Sequence, residues 1–106
     1  MIPVSDTDLR PRDLALVSEC LASGWISSAG PFVGRFENAW AGYCGRRYGI
    51  AVSSGTAALQ IAARCLDLKE GDEVIMPSFT IISCPLAVVY AGGVPVLVDC
   101  DPRTWC

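Results

Sequence analysis

The stretch Val52-Ser53-Ser54-Gly55-Thr56-Ala57-Ala58-Leu59 carries the chemistry most easily read from this sequence. A short apolar run gives way to small and hydroxyl residues, and an Ala- and Leu-rich segment suited to a helix follows. The first N–H groups of a helix lack intrahelical acceptors and lie at the positive end of its dipole. Gly55 lets a ligand approach the backbone, and Ser54 and Thr56 add hydroxyls, so the turn suits a phosphate group. An ordinary N-cap explains the same residues, and the turn taken alone favours the cap. GxxxxGK[ST] is absent, as is a GxGxxG after the first apolar run, which argues against a nucleoside-triphosphate or dinucleotide site.

Other reactive side chains are sparse. The 106 residues contain no histidine and one lysine, Lys69, within the charged turn Leu68-Lys69-Glu70-Gly71-Asp72. A ten-residue helix spans about 15 Å, which places Lys69 far from the Gly55 turn as a solvated surface amine. Asp99 and Asp101 precede Pro102, a pattern of turn chemistry rather than catalysis. Six cysteines stand at 20, 44, 65, 84, 100 and 106, with no CxxC pair, so a zinc site is not indicated. Asp6, Asp8, Arg10 and Arg12 interrupt the N-terminal region and argue against a signal peptide, which predicts reduced thiols and a cytoplasmic location.

The elements around the turn follow from periodicity. Pro11 opens a helix over 11–23 with Leu14, Val17 and Leu21 on one face and Gly24 as its stop. Trp25-Ile26-Ser27-Ser28-Ala29-Gly30 is a loop, and Pro31 opens a second helix to about Cys44. Phe32, Phe36, Trp40 and Tyr43 form an aromatic stripe on that helix and predict a buried packing face. Beyond it come a strand at 48–52, a helix at 57–66, a strand at 73–76, a helix at 81–91 and a strand at 94–98. Alternating strands and helices of this length predict a parallel sheet.

Residues 74–98 carry no charge and are long enough to span a bilayer, yet Pro77, Pro85, Pro95 and Gly92-Gly93 divide them. Strands buried on both faces fit better. The net charge of −3 and the lack of a basic stripe argue against nucleic-acid binding. Hydrophobic residues make up 52% of the chain, high for so small a domain. That excess predicts that apolar faces await further chain or a partner, and that the chain alone is poorly soluble.

The ordered set of Ser27-Ser28, Phe36-Glu37, Ser54-Gly55-Thr56-Ala57-Ala58-Leu59, Gly71-Asp72-Glu73-Val74-Ile75, Pro77-Ser78-Phe79-Thr80, Gly93-Val94-Pro95-Val96 and Val98-Asp99-Cys100-Asp101-Pro102 resembles the start of the DegT/StrS family. These are sugar-nucleotide aminotransferases that depend on pyridoxal 5'-phosphate (PLP). Gly24-Trp25-Ile26-Ser27-Ser28 and Asp101-Pro102-Arg103-Thr104-Trp105 look most like the perosamine-synthase branch. The resemblance covers essentially the whole chain. It implies an α/β fold, the N-terminal portion of the aspartate-aminotransferase-type (fold type I) large domain, with an incomplete, mostly parallel sheet and flanking helices. Residues 1–47 would be an N-terminal helical segment and 48–106 the first part of the PLP-binding large domain, cut short.

The resemblance also implies roles. Gly55, Thr56 and Ala57 would hold the cofactor phosphate, Ile81 would pack on the ring in place of the aromatic residue common there, and Ser27 and Ser28 are candidate substrate contacts, with an ordinary polar turn as the other reading of the same pair. The complete enzyme would pass an amino group, from glutamate, to a keto-sugar nucleotide, in polysaccharide biosynthesis, as a homodimer. The family's cofactor-binding lysine and its acidic partner for the pyridinium nitrogen lie downstream of the matched motifs, so no residue here is assigned a catalytic role and the chain alone is expected to be inactive. Alternatives are a non-catalytic chain paired with a full-length family subunit, and a small phosphate-binding module.

Overall fold

The computed structural model describes residue 2 and residues 5–105. The chain divides into two compact units, one ending at Ala51 and the other beginning at Val52.

The first unit is built on two helices, α1 (Pro11–Ser23) and α2 (Pro31–Tyr43). Proline stands at the first position of each, where its missing N–H costs nothing. The carboxylate of Asp13 accepts the Arg10 N–H at 2.9 Å and ties off the start of α1. Gly24 ends α1 at φ 72°, the left-handed conformation that glycine takes without penalty. An ion pair of 2.7 Å joins Arg35 of α2 to Glu19 of α1, and the Arg35 guanidinium also lies 4.7 Å from the Phe32 ring centroid.

Two expectations for this unit need correction. Phe36, Trp40 and Tyr43 do stack in sequence along α2, with centroids 6.3 and 5.6 Å apart. They are nevertheless exposed, at 57, 54 and 85%. Helical spacing fixes that they share a face, and burial requires a second surface against it. The strand expected at 48–52 does not form either. A strand exists only through a ladder partner, and here the Ala51 N–H donates instead to Glu37 Oε1 at 2.8 Å.

The second unit contains α3 (Gly55–Arg64), β1 (Glu73–Pro77), α4 (Ser83–Tyr90) and β2 (Val94–Val98). β1 and β2 pair in parallel, from Glu73 opposite Val94 to Pro77 opposite Val98. The Val94 N–H to Asp72 carbonyl bond (2.8 Å) and the Ser78 N–H to Val98 carbonyl bond (2.7 Å) close the two ends. α4 packs against both strands and against α3. Its buried Ala87 and Val88, with Met76 of β1 and Ala63 of α3, form the core of this unit. Gly93 sits in a tight space, since a Cβ there would meet Leu68, Val88 and the Asp72 carbonyl at 3.0–3.2 Å and its neighbours would have to give by a few tenths of an ångström.

Among the described residues the sheet is only partly covered. Along β1, Met76 is buried while Ile75, on the other face, is 71% exposed, and Leu97 of β2, opposite Met76, is itself 57% exposed. The expectation of strands buried on both faces is therefore not met among the described residues. Parallel strands are ordinarily sandwiched between helices, and here α4 supplies one side.

Candidate functional site

Ser54 is extended (φ −164°, ψ 163°) and caps α3. Its Oγ accepts the Ala57 N–H at 3.2 Å, and its carbonyl accepts the Ala58 N–H at 3.1 Å. The amides of Gly55 and Thr56 meet no acceptor among the described residues. The N-cap and anion-site readings of this turn therefore divide the first turn between them. Ser54 serves the third amide, and the first two are left for something else.

Gly55 and Thr56 line a cavity of about 600 Å³ together with Ala58, Leu59, Ala62, Ile81 and Ser83. The lining is largely apolar, and its hydroxyl residues are Thr56 of α3 and Ser83 of α4. A Cβ at Gly55 would meet nothing within 4 Å, so the space beside that residue is open. Thr56 Oγ1 lies 2.9 Å from Ser83 Oγ in the first turn of α4, and this hydrogen bond joins the starts of the two helices. Ser83 is 9% exposed, whereas Thr56 is exposed. Such a cavity can take an anion at its polar end and a flat apolar body against its walls.

The structure thus brings Gly55, Thr56 and Ile81 to one cavity. Ala57 lies beside them, but its amide is occupied by Ser54. Ile81 is 67% exposed and immediately precedes the tight turn in which the Cys84 N–H reaches the Ile81 carbonyl. Ser27 and Ser28 lie in the α1–α2 loop of the first unit. There Ser27 Oγ accepts the Ala29 N–H and the Ser27 carbonyl accepts the Gly30 N–H at 2.9 Å. Ser83 is not legible in the sequence as a site residue, because its partner Thr56 lies 27 positions earlier in the chain. The one signal there is a hydroxyl in an otherwise apolar helix start.

Two further expectations can be located. Lys69 is exposed and pairs with Asp67 in the turn after α3. A second cavity, about 530 Å³, lies beyond the carboxyl ends of the strands and includes Ser78, Phe79, Asp99, Asp101 and Trp105. Asp101 Oδ1 accepts the N–H groups of Arg103 (2.7 Å) and Thr104 (3.1 Å), and these two bonds hold its carboxyl below the usual carboxylate range. Asp99 accepts the Cys100 N–H. Both aspartates act in the turn.

The cysteines at 20, 44, 65, 84 and 100 are free thiols, and Cys106 lies outside the described residues. No helix among the described residues is long and apolar enough to cross a membrane.

The model of the DegT/DnrJ/EryC1/StrS aminotransferase family matches residues 7–106. The GDP-perosamine synthase of Caulobacter vibrioides is 48% identical over 98 residues, which cover 92% of this chain and 26% of that protein. Among solved structures, NtdA from Bacillus subtilis with bound cofactor PMP superposes with a TM-score of 0.72 at 43% identity, over 86% of this chain and 21% of that one. The Escherichia coli GDP-4-keto-6-deoxy-D-mannose-3-dehydratase with bound hydrated PLP gives a TM-score of 0.84 at 25% identity, over 97% of this chain and 28% of that one. The chain spans about a quarter of the length of these relatives.

Proposed function

Taking as premise that this chain belongs to the DegT/DnrJ/EryC1/StrS aminotransferase family, we propose that it supplies the phosphate-binding portion of a PLP-dependent sugar aminotransferase. One observation carries this reading: Gly55 and Thr56, whose amides meet no acceptor among the described residues, line a largely apolar cavity of about 600 Å³. The residues present fit the phosphate end of the cofactor. Two amides at a helix start and the Thr56 hydroxyl are donors, and no carboxylate among the described residues lines the cavity. The cofactor, when bound, supplies the electron sink that amino-group transfer needs.

Each residue of this chain has a share in that task. Gly55 and Thr56 hold the phosphate through their amides, and Ala57 extends the turn while Ser54 keeps it in shape. Ile81 offers apolar surface to the ring without the stacking an aromatic side chain would give. Ser27 and Ser28 contact the substrate, a keto-sugar nucleotide that receives its amino group from glutamate. Residues 1–47 form the helical lead-in and 48–106 the beginning of the large domain. The enzyme works in the cytoplasm as a homodimer.

The reactive amine is not Lys69, which is exposed and engaged with Asp67. It comes from a lysine beyond these 106 residues or from a second subunit. The test is equilibrium binding of pyridoxal 5'-phosphate, followed by its absorbance, against pyridoxal and against competing inorganic phosphate. The chain is expected to prefer the phosphorylated form, to release it as inorganic phosphate is added, and to show no aminotransfer on its own. Equal binding of pyridoxal would remove the phosphate cradle, and turnover by the Lys69→Ala chain would remove the external amine.

A further inference from the structure

We propose that Ser83 is a positioning residue for the cofactor phosphate and acts through Thr56; the inference rests on the cradle reading above. Ser83 is the buried polar side chain of the described residues, and its partner is the Thr56 hydroxyl at 2.9 Å. A buried hydroxyl needs a partner, and the partner here belongs to a residue that lines the cavity, as Ser83 itself does. The contact reaches from the first position of α4 to the second position of α3.

The direction of that hydrogen bond is where the chemistry lies. Each hydroxyl has one proton and two lone pairs. With no anion near, either can donate to the other. A phosphate oxygen can only accept, so Thr56 must turn its single proton toward the anion. Ser83 then donates to Thr56 Oγ1. The result is a chain of donors, Ser83 to Thr56 to phosphate, in which each bond polarises the next. Without Ser83 the Thr56 hydroxyl loses its support and rotates freely. Ser83 therefore fixes the rotor of the Thr56 hydroxyl in the cradle.

The experiment is a double-mutant cycle in the protein as its gene encodes it. Equilibrium binding of pyridoxal 5'-phosphate and of pyridoxal is measured for the wild type, Ser83→Ala, Thr56→Val and the double variant. Loss of a neutral hydrogen bond predicts that Ser83→Ala weakens pyridoxal 5'-phosphate binding about 3- to 10-fold. Pyridoxal binding should not change. On a Thr56→Val background the Ser83 change should add less than about 2-fold, since its route is gone. Ser83→Cys keeps the side-chain volume with a weaker donor and gives the same coupling at smaller size should the alanine variant fold poorly. If Ser83→Ala weakens both ligands alike, or costs the same factor with and without Thr56, then Ser83 serves only the packing and the proposal fails. If Thr56→Val itself leaves pyridoxal 5'-phosphate binding unchanged, it is the cradle reading that falls.

Discussion

The turn at the start of α3 and the turn after β2 use the same donors in opposite ways. At Asp101 the chain supplies its own anion, and the carboxylate takes the N–H groups of Arg103 and Thr104. At Ser54 it supplies only a neutral hydroxyl, which takes one amide and leaves those of Gly55 and Thr56, residues that line the cavity, without an acceptor among the described residues. Both turns border cavities and resemble family motifs. What separates them is whether the backbone donors are already spent. A turn that neutralises itself is structural, and a turn that holds amides in reserve can bind.

The strongest way to break this contrast is to turn the second kind of turn into the first. Gly55→Asp places a carboxylate among the open amides, where the space for it exists. Repulsion between like charges a few ångströms apart should cut pyridoxal 5'-phosphate binding by about 100-fold or more. The thermal melt should hold or rise, because an acidic residue at a helix start favours the helix. Retained binding would show that the amides are not the grip.

Removal of the Ser54 hydroxyl comes next. Ser54→Ala should cost about 1 kcal/mol of stability through loss of the cap, read by chemical denaturation. It also frees the Ala57 amide, so phosphate binding per folded molecule should not fall. A parallel loss of binding would mean that Ser54 itself touches the ligand.

The Asp101 turn is tested by pH. Its folded carboxyl lies below the ordinary aspartate value because the Arg103 and Thr104 amides favour the charged form. A depressed carboxylate stabilises the turn above its unfolded pKa, and that contribution is lost as pH falls through the folded value. Amide exchange at Arg103 and Thr104 should therefore stay slow at neutral pH and lose its protection only below about pH 4, or at any pH in Asp101→Ala. Pyridoxal 5'-phosphate binding should not respond to Asp101→Ala. The smallest effect belongs to Lys69→Ala. The exposed pair with Asp67 is worth at most about 1 kcal/mol, and a larger change in the denaturation midpoint would give Lys69 a part in the fold beyond that pair.

Features fixed by neighbours in the chain are legible in the sequence alone. Pro11 and Pro31 open helices, Gly24 closes one, and 94–98 is a strand with the bounds its apolar run predicts. The expected helix at 81–91 shortens to Ser83–Tyr90, with Pro85 in its first turn as its missing N–H demands. Features that depend on a distant partner are not legible. The 48–52 run has β-forming residues but no ladder, the Phe36–Trp40–Tyr43 stripe has a face but no cover, and Ser83 has meaning only beside Thr56. The site divides in the same way. Gly55 and Thr56 announce themselves by local order, while the hydroxyl that steadies them does not.

The parallel pairing of β1 and β2 has a consequence for how the protein comes off the ribosome. Glu73 and Val94 can meet only after the whole of α4 has been made and folded back, so the sheet cannot zip up as a hairpin would. Until then Ile75 and its neighbours are bare, and among the described residues Ile75 stays exposed afterwards. A nascent chain with that greasy side showing is a client for chaperones, and its yield in the cell should rise and fall with their supply.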